Sequence, residues 1–290
     1  MIIAAVLTFS LLCGCGSVNV NIKTPAKDAQ AEAAPSQDTA SSDAQDLAKA
    51  QNEFPQLDSE DFDLSRTDGD NTKYFECHGN TWKLADGSAD KFPKLAQTLD
   101  EIANNVKKYC QDTIDANDSD AKQFAEDNKG GDYAYYECDA DIGPACADDK
   151  VVSLVETLFT SLGGAHPSTV TIPYNIDAQS GQLIPLSAVI NDQKGLNGML
   201  KEKLIELYTD HGFFGLDESL DKMGMLATDF TQVDDSKPQY VWSFNPNGLT
   251  FYFNPATLSP YSDGGEQVDL TYDELAPVLE DHFTNLYSGN

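Results

Sequence analysis

Two aromatic runs around a tight turn constrain this chain more than any other feature. Tyr240–Phe244 and Leu249–Phe253 both alternate, and Asn245-Pro246-Asn247-Gly248 lies between them. A period of two sends successive side chains to opposite faces of a sheet, and an Asn/Pro/Gly junction folds the chain back on itself. The pattern predicts an antiparallel hairpin. Its rings, with Tyr261 nearby, must divide between a core face and an outward face. Core packing is the ordinary use of such rings. Tyr240, Trp242, Tyr252 and Tyr261 are the candidates for an outward recognition surface.

Further strands are predicted at Lys73–Cys77, Asp132–Cys138, Lys150–Ser161 and Thr169–Ile176, the last ending at an Asp177-Ala-Gln-Ser-Gly181 turn. Helical spacing places Leu95, Leu99, Ile102 and Val106 on one face, and Leu196, Leu200, Leu204 and Leu207 on another. A last helix is predicted from Thr271, with Glu274 three residues on as a capping box, through Leu275, Val278, Leu279, Phe283 and Leu286. Strands and helices mixed in this order imply an α+β fold rather than a repeating βαβ sheet. The expected division is two α+β subdomains, residues 68–167 and 168–290. The runs Tyr-Phe-Glu-Cys and Tyr-Tyr-Glu-Cys are alike but too short to define a repeat.

Ahead of them, residues 15–67 are rich in Ala, Ser, Gln, Asp and Pro, with apolar residues scattered without period. Such a segment buries too little surface to offset its ordering entropy, so a disordered linker is expected. The first residues differ. An uncharged apolar run from Met1 leads to Leu12-Cys13-Gly14-Cys15. This resembles the lipobox of bacterial lipoproteins. The resemblance implies a signal peptide over residues 1–14, a lipid on Cys15, and an extracytoplasmic protein anchored to the cell membrane.

The chain carries 48 acidic and 18 basic side chains over 290 residues, a formal charge of −30. Residues 15–67 hold ten acids and four bases, a net of −6, which leaves −24 on the remainder. Such a surface repels nucleic acid and anionic headgroups, and it attracts cationic proteins. Solubility alone is the plainer reading of the same charge. Beyond the lipobox four cysteines remain, Cys77, Cys110, Cys138 and Cys146, with no C-x-x-C spacing. An even count outside the cytoplasm suggests two disulfides. Of three pairings, Cys138–Cys146 around Gly143-Pro144 with Cys77–Cys110 is favoured; free buried thiols are the alternative.

Catalytic signals are sparse. His166 follows Gly163-Gly164-Ala165 and is the one histidine with a functional setting, as a base or a binding residue. Two glycines before it equally suit a sharp turn. His78, His211 and His282 lack metal-ligand spacing, and no phosphate loop, G-x-S-x-G or H-E-x-x-H occurs. Asp115, Asn117, Ser119 and Glu126 stand at positions 1, 3, 5 and 12 of a calcium-loop pattern, but Asp120 replaces the turn glycine, so a solvated acidic segment is expected. Neither a metal nor a cofactor is expected.

Three segments carry a family likeness: Val151–Val155 through Phe159 to Gly163-Gly164-Ala165-His166; Tyr174-Asn175-Ile176-Asp177 with Ser180-Gly181-Gln182-Leu183 and Leu186; and Gly248–Phe253 with Pro255, Leu258, Pro260-Tyr261, Gly264 and Tyr272-Asp273-Glu274-Leu275. Together they resemble the paired domains of unknown function in the extracellular module of the lysozyme-sensing anti-sigma factor V. Those domains also lie beside some peptidoglycan deacetylase domains. The resemblance covers about residues 70–290. It implies a two-part α+β fold and makes a lysozyme-type cationic protein a concrete partner. Neither a sigma-binding segment nor a deacetylase domain is present in this sequence. The expectation is a non-catalytic surface lipoprotein that binds an extracellular protein or cell-wall glycan. The rivals are a wall-polymer-modifying enzyme using His166 and a passive structural lipoprotein.

Overall fold

The computed structural model describes residues 54–129, 135–226, 238–281 and 283. Cys15, the segment 1–14, His282 and Leu286 lie outside them. Two sheets make a mixed α+β fold. The first runs β1 (Leu57–Thr67), β2 (Lys73–Leu84), β3 (Tyr136–Ala147), β4 (Val151–Ser161) and β5 (Ser168–Asp177), in that spatial order. Every neighbour pair is antiparallel except β2–β3, which is parallel. A parallel pair needs a crossover, and α1 (Pro93–Asp127) supplies it. Pro93 suits the first helical turn, where its missing N–H costs nothing. The predicted stripe runs on through Cys110, Ile114 and Ala121, all buried against one face of the sheet. No helix among the described residues is long and apolar enough to cross a membrane.

The second sheet is β6 (Val241–Asn245), β7 (Gly248–Phe253) and β8 (Glu266–Thr271). The hairpin forms as the aromatic alternation requires, with Asn245 paired to Gly248 around a two-residue turn. A Cβ on Gly248 would lie 1.9 Å from the Leu270 carbonyl oxygen, so only glycine lets β7 and β8 close there. Helices α2 (Gln193–Leu207) and α3 (Leu216–Asp221) complete this half, around a second core built on Trp242, Phe244, Phe251 and Leu200.

Asn175 of β5 joins the halves. Its side chain donates to the Trp242 carbonyl at 2.7 Å and accepts from the Phe244 amide at 3.2 Å and the Ser153 hydroxyl at 2.6 Å. One buried amide thus does for β5 and β6 what ladder bonds do elsewhere. Gly181, at φ +67°, ties the following turn to α1. Its carbonyl accepts from Thr98 Oγ1 at 2.6 Å, and an added Cβ would meet the Lys94 carbonyl at 2.5 Å.

Three expectations need correction. Residues 57–67 are the edge strand β1, not linker; Leu57, Phe62 and Leu64 face the first core, while Asp58, Glu60, Asp61 and Asp63 charge an edge that must not pair further. The sheet boundary falls after Asp177 rather than at 167, because β5 belongs to the first sheet. Asp115, Asn117, Ser119 and Glu126, expected in a solvated acidic segment, lie along α1. The last predicted helix breaks after one turn, α4 (Tyr272–Leu275), although Thr271 and Glu274 do form the capping box, and Asp281 and Phe283 are helical again. Pro277 offers no amide hydrogen to continue it, and Ile190 bridges Leu279 as a short β contact instead.

Candidate functional site

The face of the first sheet turned away from α1 collects acidic side chains by register alone. Asp63 pairs with His78, His78 with Asp139 and Asp139 with Phe159, while Glu76 pairs with Glu137 one row on. Like residues two apart share a face, so Asp61, Asp63, Glu76, Glu137, Asp139 and Asp141 all point the same way. His78 Nδ1 lies 2.6 Å from Asp63 and Nε2 lies 3.3 Å from Glu76. The Asp63 hydrogen bond and the neighbouring Glu76 and Asp139 hold the imidazole above its ordinary pKa. Glu137 moves up as well, through burial and then repulsion from Asp139 and Glu76. Glu76 moves down despite its burial, because Lys73 and Tyr135 hydrogen-bond its carboxylate. This face is therefore strongly negative and only locally neutralised by Lys73 and His78.

The predicted aromatic surface divides. Tyr240 and Trp242 are each 1% exposed and belong to the second core, so neither reaches a partner. Their alternation points them inward, and the Tyr240 hydroxyl bonds to Asn197 and to the Leu220 carbonyl. Tyr252 is half-buried with its hydroxyl 3.0 Å from Ser243 Oγ. Tyr261 remains outside, 43% exposed. Its ring lies 5.4 Å from that of exposed His166, and its hydroxyl donates to the Pro167 carbonyl at 2.5 Å. The β4–β5 hairpin loop and the 254–263 loop thus present one imidazole–phenol pair. Among the described residues no hydrogen bond or ion pair joins His166 to a carboxylate.

The cysteines also part from expectation. Cys138 and Cys146 lie at opposite ends of β3; at ~3.3 Å per residue they are more than 20 Å apart, and no disulfide can join them. Cys146 sits in the second core instead. Cys77 and Cys138 face each other across the parallel β2–β3 pair, and α1 sets Cys110 above them. The three sulfurs lie within 4.8 Å of one another, each side chain 0% exposed. Hydrogen bonding with the other two thiols, then burial, pushes Cys77 far up, and Cys110 rises with it. The S–H groups of Cys110 and Cys77 hold Cys138 down, to about 4. One thiolate thus gains two donors, and a second would sit beside the first in a dry site.

Sequence reasoning missed this cluster. The clue lay in the two like runs, which prove to be register partners: Phe75 with Tyr136, Glu76 with Glu137, Cys77 with Cys138. Glu156, on the same core side of the sheet, was missed too. It is fully buried, accepts from the Tyr174 hydroxyl at 2.6 Å through one oxygen, and leaves Oε1 without a partner. Burial drives its pKa up to about 7 against the pull of Tyr174, and Cys138 adds to the rise. In the second half Glu266 is another buried carboxylate, accepting from Ser259 at 2.5 Å and facing His211 Nδ1 at 3.0 Å.

Residues 191–273 match the family model described as a protein of unknown function (DUF3298). The match covers less than half of the chain. It spans α2, α3, the whole second sheet and the start of α4. Two solved structures share the fold more widely. A DUF3298 family member from Bacteroides fragilis superposes with a TM-score of 0.56 at 16% identity, over 78% of this chain and 94% of that one. A DUF3298 protein from Pseudomonas aeruginosa gives 0.50 at 13% identity, over 81% and 98%. At such identity the likeness concerns fold alone. No curated protein matches the chain.

Proposed function

We propose that this chain is a non-catalytic, lipid-anchored surface protein that binds a cationic extracellular partner. The observation that carries the reading is the outward acidic face of the first sheet, within a chain of formal charge −30. The basic side chains do little to offset it. Arg66, Lys73, Lys107, Lys108, Lys201, Lys203 and Lys222 each lie within ion-pair distance of a carboxylate. A field of one sign speeds encounter with a basic partner and weakens as salt screens it. The likeness to the lysozyme-sensing module makes a lysozyme the natural probe. The exposed His166–Tyr261 pair offers an aromatic contact in addition to the charge.

Calorimetric titration with lysozyme at low and high salt tests this. Affinity is expected at low salt, with a loss of tenfold or more between about 50 and 500 mM salt as the Debye length contracts. Lysine at Asp63, Glu137 and Asp139 together is expected to abolish it. Absence of heat at low salt, or curves indifferent to salt, would remove the proposal. The enzymatic rival requires His166 to act as a base, and turnover of peptidoglycan fragments that disappears in a folded His166→Ala variant would favour it.

A further inference from the structure

Three sulfurs from three elements meet at one buried point. Register fixes two of them, since Cys77 and Cys138 are direct partners in the parallel pair and project to the same face. The helix stripe fixes the third, because Cys110 continues the spacing of Ile102, Val106 and Ile114 toward the sheet. We propose that Cys77, Cys110 and Cys138 form a binding site for one thiophilic cation of the zinc(II) or copper(I) class.

The spacing suits such an ion. Metal–sulfur bonds of about 2.3 Å place the sulfurs of a three-coordinate or capped tetrahedral site about 4 Å apart. The three here lie within 4.8 Å without any backbone rearrangement. The donor set selects a soft cation over calcium or magnesium, which require oxygen. A disulfide would use two sulfurs and strand the third; a cation uses all three. A second observation concerns Glu156. Its Oε1 is fully buried and unpartnered, and its carboxyl interacts electrostatically with Cys138 and Cys110. A buried acceptor left open costs stability unless something satisfies it.

Binding replaces the S–H protons by metal–sulfur bonds, and the released protons pass to solvent. No oxidant takes part. Because no sulfur is exposed, the ion enters as the chain folds rather than afterwards.

The full chain, reduced and unfolded, is refolded with one equivalent of Co2+ or Zn2+. Expected are one metal retained per chain after dialysis, a sulfur-to-cobalt charge-transfer band, proton release on loading, and a thermal midpoint raised by the metal. Cys146→Ser keeps all four, and Cys110→Ser and Cys138→Ser lose the band. A Cys→Ser change in a core can unfold it, so the wild-type chain decides. No retained metal and no band would overturn the proposal. So would a disulfide among Cys77, Cys110 and Cys138, mapped by peptide mass after refolding in the presence of zinc.

Discussion

Glu156 shows what a single residue can do to this molecule's response to pH. Its folded pKa, at about 7, stands above the ordinary carboxyl value, chiefly because burial penalises the charge. The folded chain therefore holds a proton that the unfolded chain releases. Stability from this group is full below the unfolded value near 4.5, declines as pH rises toward 7, and stays low above that. Glu156→Gln keeps an acceptor for Tyr174 and removes the charge. In metal-free protein it is expected to raise stability at pH 8 by on the order of 2–3 kcal/mol and to change little at pH 4. Denaturant melts at the two pH values measure this; a loss of stability at pH 8 would refute it.

Among the elements, legibility followed periodicity. The hairpin, the long strands and both predicted helix stripes are readable because each repeats an apolar signal over several turns or pleats, although Leu207, 56% exposed, falls off the second stripe. Strand β1 was not. Its acids obscure the alternation of Phe62 and Leu64, as suits an edge strand. The last helix was over-read because its apolar spacing continues past Pro277 even though the backbone there pairs with residues 189–191. Gly248 tests the hairpin's closure. Gly248→Ala forces a methyl into the Leu270 carbonyl and is expected to destabilise by about 3 kcal/mol or more, with lost amide protection concentrated in β7 and β8. Uniform loss across both sheets would instead mean that the hairpin and the first sheet open together.

For the whole molecule, the candidate sites were partly written in the sequence. Net charge announced an acidic exterior, but only the register of β1, β2 and β3 shows which acids share a face. Tyr261 and His166 are exposed, whereas Tyr240 and Trp242 are drawn into the core by the same alternation that predicts their strand. The thiol trio was invisible because its members lie about thirty residues apart on three elements. Asn175 is one of several ties between the halves, beside Cys146 and Val151 in the second core and the Thr171–Asn254 bond. Asn175→Ala leaves the Trp242 carbonyl and the Phe244 amide without their partner and is expected to cost about 2–4 kcal/mol in chemical denaturation. A change under 1 kcal/mol would show that water replaces the amide at no penalty.

That amide also separates a family's border from a folding border. The DUF3298 segment begins at residue 191, sixteen residues after the side chain that completes β6. Excised at its matched ends, 191–273 would leave the raw flank of its first strand open to any passing edge. Expressed alone it should associate or aggregate, which size-exclusion chromatography would read, and extending it back only through β4 and β5 would move the open flank to β4, whose partner β3 stays behind.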